Sequence, residues 1–129
     1  MFVANFGMRQ MTGAQNAIVA NVALGQDLLE AEDGLVEYIK AQAKLIEGRF
    51  AGAKIAGPQP IAFAGAEEAC LLFVRHRPAN SGDILHAQTY ARVGRWVGIV
   101  TLTTPEAHLS FVRPDYDAFM KGLRILPPK

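Results

Sequence analysis

The sequence lacks most of the features that identify a chemical activity. Its single cysteine, Cys70, excludes an internal disulfide and a metal site built on several cysteines. No apolar run approaches the roughly 20 residues of a membrane-spanning helix, and no signal-peptide pattern opens the chain, so we expect a cytoplasmic protein. The 13 basic and 12 acidic residues nearly balance, which disfavours nucleic acid as a main partner.

The chain also lacks the spacings on which catalytic and metal sites depend. It has no glycine-rich phosphate loop, and neither Ser81 nor Ser110 lies in the G-x-S-x-G context of an activated serine. The histidines are not spaced as metal ligands on one helix. We therefore expect a non-enzymatic protein with no cofactor and no metal. A small enzyme or metal protein, with His76 and His86 meeting from neighbouring strands, stays open as an alternative.

Half of the 129 residues are hydrophobic, enough to form one folded domain. We expect this domain to span residues 1–129, with an uncertain start at 1–12 and a tail at 126–129. Apolar alternation allows a first strand at 2–8. The β-branched segment 17–24 predicts a strand that Gly25-Gln26-Asp27 ends.

Helical spacing predicts the first helix in the segment that follows. Asp33 is a fair N-cap, and Gly48 and Gly52 flank the expected end near Phe50. The stripe that repeats at helical spacing comprises Leu35, Ile39, Gln42, Ala43 and Ile46.

The middle of the chain is predominantly β. Pro58 and Pro60 interrupt the segment 54–63 and place it at a sheet edge or a bulge, because proline cannot donate to a ladder. The nearly continuous apolar run 68–76 predicts a central strand.

The C-terminal segment predicts a helix. Thr104 is a good N-cap and Pro105 a good first helical residue, whereas Pro114 is expected to split the segment.

The most informative segment is a predicted hairpin, Ile84–Thr103, with a two-residue turn at Gly94-Arg95. This turn predicts the pairs Val93 with Trp96, Ala91 with Gly98, Thr89 with Val100, Ala87 with Leu102, Arg92 with Val97, Tyr90 with Ile99, Gln88 with Thr101 and His86 with Thr103. One face of the hairpin is then small and apolar, as in a core. The other mixes polar, aromatic and aliphatic side chains, as in a binding surface.

Several segments over residues 16–126 resemble the DcrB-related family. These are Leu35–Gln42, Ala69–Val74, Gln88-Thr89-Tyr90, Gly94-Arg95-Trp96, Val100–Thr103, Tyr116–Phe119 and Leu123–Ile125. The resemblance implies a Mog1/PsbP-like α+β sandwich. Its single twisted, largely antiparallel sheet would have about five or six strands flanked by helices.

Small members of this group resemble the effector-associated (Eag) chaperones of bacterial type VI secretion. The resemblance implies a protein that holds apolar N-terminal helices of an effector on its sheet face, with a homodimer as an option. The matching residues here are His86, Gln88, Tyr90, Arg92, Val97, Ile99 and Thr101. Two alternatives stay open: the protein's own first helix or a dimer mate covers this face, or the fold serves an unrelated protein partner.

Overall fold

A computed structural model describes residues 2–3, 20–30, 34–78 and 82–125. The strands are β1 (Phe2–Val3), β2 (Asn21–Leu28), β3 (Lys54–Pro60), β4 (Glu68–His76), β5 (Ile84–Val93), β6 (Trp96–Pro105) and β7 (Arg124–Ile125). The helices are α1 (Leu35–Arg49) and α2 (Leu109–Gly122), and a 3₁₀ turn, Glu106–His108, precedes α2.

In the described part of the chain, five strands form one antiparallel sheet in the order β2-β6-β5-β4-β3. Its two faces pack against different helices, α1 on one and α2 on the other. Strands β1 and β7 pair separately. The predicted architecture, a single antiparallel sheet flanked by helices in an α+β fold, is confirmed.

The predicted hairpin register is also confirmed in full. Strands β5 and β6 pair from Val93 with Trp96 at the turn to His86 with Thr103 near the far end. Gly94 has φ +58°, a backbone conformation that glycine adopts without strain. Because the period of a strand is two, this register decides which side chains face each helix.

Two further sheet predictions agree with the structure. β4 is a central strand, and β3 is an edge strand whose register shifts between Ala56 and Gln59, around Pro58. The prolines lie at the edge, where a missing donor costs least.

The predicted end of the second strand is wrong. Gly25-Gln26-Asp27 does not stop β2, which continues to Leu28 in unbroken register with β6. An eight-residue ladder to a neighbouring strand outweighs the local turn preference of these residues. Residues 17–19 of that prediction lie outside the described residues, as do residues 4–8 of the first predicted strand.

The predicted start of the last helix is wrong as well. Thr104 is a fully buried strand residue that pairs with Leu85, and Pro105 ends β6. α2 then runs without a break through the exposed Pro114. The proline removes one helical hydrogen bond, and the burial of Val112 and Phe119 along the same helix outweighs that loss.

The first helix agrees with its predicted stripe. Leu35 and Ile39 are fully buried, and Gln42, Ala43 and Ile46 are half-buried. The helix ends at Arg49 with Phe50 as its C-cap. At its start Gly34 holds the N-cap position without a side-chain cap, and the predicted cap Asp33 lies outside the described residues.

The α1-side core depends on Leu72, which is fully buried among Leu35, Ile39 and Tyr90. We expect Leu72→Ala to lower the free energy of unfolding by about 2–5 kcal/mol, because it removes apolar contacts and leaves a cavity. The matched control is Leu45→Ala on α1, since Leu45 is 64% exposed. Urea denaturation of both variants measures the difference, and equal losses would contradict this assignment of the core.

Candidate functional site

The residues that the sequence predicts as a binding surface all lie on the α1 side of the sheet. Helix α1 buries some of these residues and leaves others partly exposed. Tyr90 and Val97 are 2% and 1% exposed beneath α1, so in this structure they are core residues. Their predicted contact with a partner is therefore not available while α1 is in place.

Arg92 is engaged at the turn end of the hairpin. Its guanidinium donates to the Gly94 carbonyl oxygen at 2.9 Å and to the Glu68 carboxylate at 3.3 Å, and Glu67 lies 3.7 Å away. These contacts stabilise the turn, and they occupy the side chain at the end of the sheet away from His86.

The path of α1 across the sheet follows from contacts at its two ends. Near its start, the Tyr38 ring meets the Tyr90 ring edge-to-face at 6.1 Å, and the Tyr38 hydroxyl donates to Asp27 Oδ2 of β2 at 2.6 Å. At its end, Phe50 stacks on His76 and His86. The helix therefore crosses the sheet diagonally, from β2 towards β4, and packs mainly on β3, β4 and β5.

Within residues 20–30, 34–78 and 82–125, this diagonal course leaves part of β6 and β2 uncovered on the α1 side. Ile99 and Thr101 of β6 are half-buried there, and their partners on β2, Gly25 and Ala23, are exposed. Among the residues that the structure describes, no atom would lie within 4 Å of a Cβ added to Gly25, so these residues leave the space above it open. We call these four residues the open strip.

Gln88 lies beside the open strip, directly opposite Thr101. Its Oε1 accepts a hydrogen bond of 2.6 Å from the Tyr90 hydroxyl, and burial raises the pKa of Tyr90 to about 12. The tyrosine therefore stays a neutral donor at physiological pH, which fixes the amide orientation next to the strip.

The histidine pair that the sequence left open does form. The Nε2 atoms of His76 and His86 are 2.9 Å apart, and His86 Nδ1 lies 3.0 Å from Thr103 Oγ1. Burial, and secondly the neighbouring His76, lower the pKa of His86. This pair lies at the end of the sheet where α1 terminates.

No metal centre is evident at this pair. Within residues 2–3, 20–30, 34–78 and 82–125, no group of three or more histidine, cysteine, aspartate or glutamate side chains converges. Cys70 is buried on the α1 side, and burial raises the pKa of its thiol, which disfavours a thiolate nucleophile. Across the described residues, no helix is both long and apolar enough to cross a membrane.

Strand β2 and the start of β6 also expose an apolar row on the opposite face of the sheet, the α2 side. Leu24, Leu28 and Trp96 are 50%, 45% and 37% exposed, and Leu28 pairs with Trp96 across the strands. The sheet edge thus presents small residues on one side and large apolar residues on the other.

The sequence interpretation missed Gly25 because it ended the strand there, and it assigned no binding role to Ala23 within the predicted strand 17–24. The alternation through Leu28 was a usable signal. Val22, Leu24 and Leu28 share one face and Ala23, Gly25 and Asp27 the other, which is the two-residue period of a strand.

Several solved structures resemble this fold, whereas no family model and no curated protein matches the chain. PA94 from Pseudomonas aeruginosa, a protein of unknown function, superposes with a TM-score of 0.72 at 20% identity, covering 98% of this chain and 85% of its own. LpqN from Mycobacterium tuberculosis, involved in cell envelope biogenesis, gives 0.65 at 11% identity, covering 98% and 83%. At these identities the similarity shows the fold alone.

The Tyr38–Asp27 hydrogen bond gives a testable pH dependence. This bond, and secondly the Leu28 amide, lower the pKa of Asp27 below its ordinary 3.8. The bond therefore stabilises the fold above pH 3.8 and is lost as pH falls through the lowered pKa. We expect Tyr38→Phe to cost at most about 1 kcal/mol at pH 7, because Asp27 is exposed and solvent screens the bond.

Urea denaturation at pH 7 and near pH 2.5 measures this effect. The difference between wild type and Tyr38→Phe should shrink towards the lower pH, as the pH approaches the lowered pKa of Asp27 and its carboxylate begins to be protonated. An equal difference at both pH values would show that the hydroxyl acts independently of the carboxylate.

Proposed function

We propose that this protein is a non-enzymatic cytoplasmic chaperone or adaptor that holds an apolar helical segment of a type VI secretion effector on the open strip. The observation that carries the proposal is the diagonal course of α1. The helix covers β3 to β5, and among the described residues it leaves Ala23 and Gly25 of β2 exposed. The resemblance of the sequence to the DcrB-related family and its Eag members supplies the class of partner.

The dimensions of the open strip suit one helix. Neighbouring strands lie about 4.8 Å apart, so β6 and β2 together offer roughly 10 Å, close to the diameter of an α-helix. Along β2 the exposed positions on the α1 side continue from Gly25 through Ala23 to Asn21, and these five residues span roughly 17 Å, which accommodates about eleven residues of helix.

The chemistry of the open strip suits an apolar helix that packs closely against the sheet. Ala23 and Gly25 allow a backbone to approach closely, and Ile99 adds an aliphatic contact. Gln88 and Thr101 offer polar contacts at the boundary with α1. An amphipathic helix bound in this way would lay its apolar face on the strip, as in other helix-in-groove complexes.

This account changes which of the predicted residues take part. Ile99 and Thr101 belong to the open strip and Gln88 borders it, whereas His86 lies under Phe50 and Tyr90 and Val97 are buried beneath α1. The predicted alternative in which the protein's own helix covers the face holds for those two buried residues. A partner and a covering helix therefore use different parts of one face.

Substitution of the strip tests the proposal directly. We expect Ala23→Arg to weaken binding of a 20-residue Leu/Ala helical peptide with terminal lysines by about tenfold or more, which corresponds to about 1.4 kcal/mol. The bulky side chain fills the space above β2, and its charge would have to be desolvated against the apolar peptide. Fluorescence anisotropy of the labelled peptide measures the affinity.

The matched control is Ala118→Arg, an exposed alanine on α2 at the other side of the sheet. It should bind the peptide as the wild type does. Co-expression with the apolar N-terminal fragment of an effector encoded by a neighbouring gene should give a complex, and Ala23→Arg should weaken that complex. Peptide binding that both arginine variants leave unchanged would refute the open strip as the binding surface.

A further inference from the structure

A cluster of three stacked rings lies where α1 ends on the sheet. Phe50, the C-cap of α1, stacks on His76 with centroids 4.2 Å apart and on His86 at 5.6 Å, both within 16° of parallel. The histidines come from β4 and β5, and Thr103 of β6 contacts His86. Side chains of three strands and one helix thus meet at one point.

The short distance between the two histidine rings limits the protonation states that the pair can adopt. Their Nε2 atoms are 2.9 Å apart, their ring planes are parallel within 4°, and their centroids are 5.0 Å apart. This is the arrangement of an N–H···N hydrogen bond, in which one nitrogen carries a proton and the other a lone pair. Two neutral rings, or one neutral and one charged ring, satisfy it. Two imidazolium rings do not, because both nitrogens then carry protons.

The same nitrogens do not converge on a common point. With the ring planes parallel and the centroids separated by nearly the full reach of both rings, the Nε2 atoms are directed towards each other. A metal ion would require both rings to turn aside, and Thr103 is a poor third ligand. The geometry therefore favours a shared proton over a shared metal.

The charged groups around the pair would do little to stabilise a second positive charge on it. Arg49 of α1 lines the same cavity of about 180 Å³ as Phe50, His86 and Gln88. On the His76 side, a cleft is lined by Lys54 of β3, Arg75 of β4, Arg77 after β4, Asp83 before β5 and Glu106 after β6. Both acids there are already paired, Asp83 with Arg77 at 2.9 Å and Glu106 with Arg75 at 3.1 Å.

We propose that the His76–His86 pair is a pH-sensitive clasp that holds the C-terminal end of α1 against the sheet and opens when both rings are protonated. Closed, the paired rings form a flat platform for Phe50. Open, two like charges separate and the platform is lost.

The direction of the effect follows from His86. Burial, first, and His76 lower its pKa below the ordinary 6.5, so the closed state binds fewer protons than the open state. The clasp therefore stabilises the end of α1 above about pH 6.5, and this contribution is lost as pH falls through the lowered pKa.

Opening of the clasp would also alter the open strip. Gln88 borders both the cavity under the last turn of α1 and the strip beside Thr101. A loosened helix end would change the wall against which a bound helix packs. This consequence rests on the proposed function, whereas the clasp itself does not.

Nuclear magnetic resonance of the intact, ¹⁵N-labelled protein tests the clasp without any partner. At pH 7.5 we expect scalar coupling between the two Nε2 atoms, and we expect it to vanish by pH 5. Over the same interval, amide exchange at residues 47–50, corrected for its intrinsic pH dependence, should accelerate about tenfold relative to residues 119–122 of α2.

Two variants distinguish protonation of the histidine pair from a general effect of acid on the protein. His86→Gln should abolish the pH dependence at residues 47–50, and His108→Gln, which changes a histidine outside the pair, should retain it. Coupling that persists at pH 5, or equal acceleration in both helices, would overturn the clasp. Because no peptide is used, such a failure leaves the proposed function standing, and failure of the peptide experiment leaves the clasp standing.

Discussion

The diagonal packing of α1 is the constraint on which the candidate site depends. The helix is held at one end by Tyr38, which reaches Asp27 on β2, and at the other by Phe50 on the histidine pair. Between these points it buries the centre of the sheet. Among the described residues, the corner formed by β2 and β6 stays exposed on the α1 side. That corner is where small residues on β2 make a helix-sized surface, so the same packing both completes the core and creates the proposed binding site.

Much of the sheet could be predicted from the sequence because its signals are local. Gly94 in a two-residue turn fixed the β5–β6 register, and the prolines placed β3 at an edge. The continuous apolar run of β4 predicted its central position, and the helical stripe from Leu35 to Ile46 predicted the buried side of α1. Each of these depends on side chains a few residues apart.

The rest depends on contacts between distant parts of the chain, which local patterns do not contain. β2 continues through Gly25 because β6, some 70 residues later, pairs with it. α2 passes through Pro114 because the sheet buries its apolar side. The direction of α1, which separates the buried Tyr90 from the exposed strip, is set by side chains that meet only in the folded protein.

The central claim is that an apolar helix binds beside α1 on β2 and β6. Intermolecular nuclear Overhauser effects between the protein and a bound Leu/Ala helical peptide test it most directly. The account predicts contacts from the peptide to the methyl groups of Ala23, Ile99 and Thr101. Contacts instead to the row formed by Leu24, Leu28 and Trp96, on the opposite face, would contradict it.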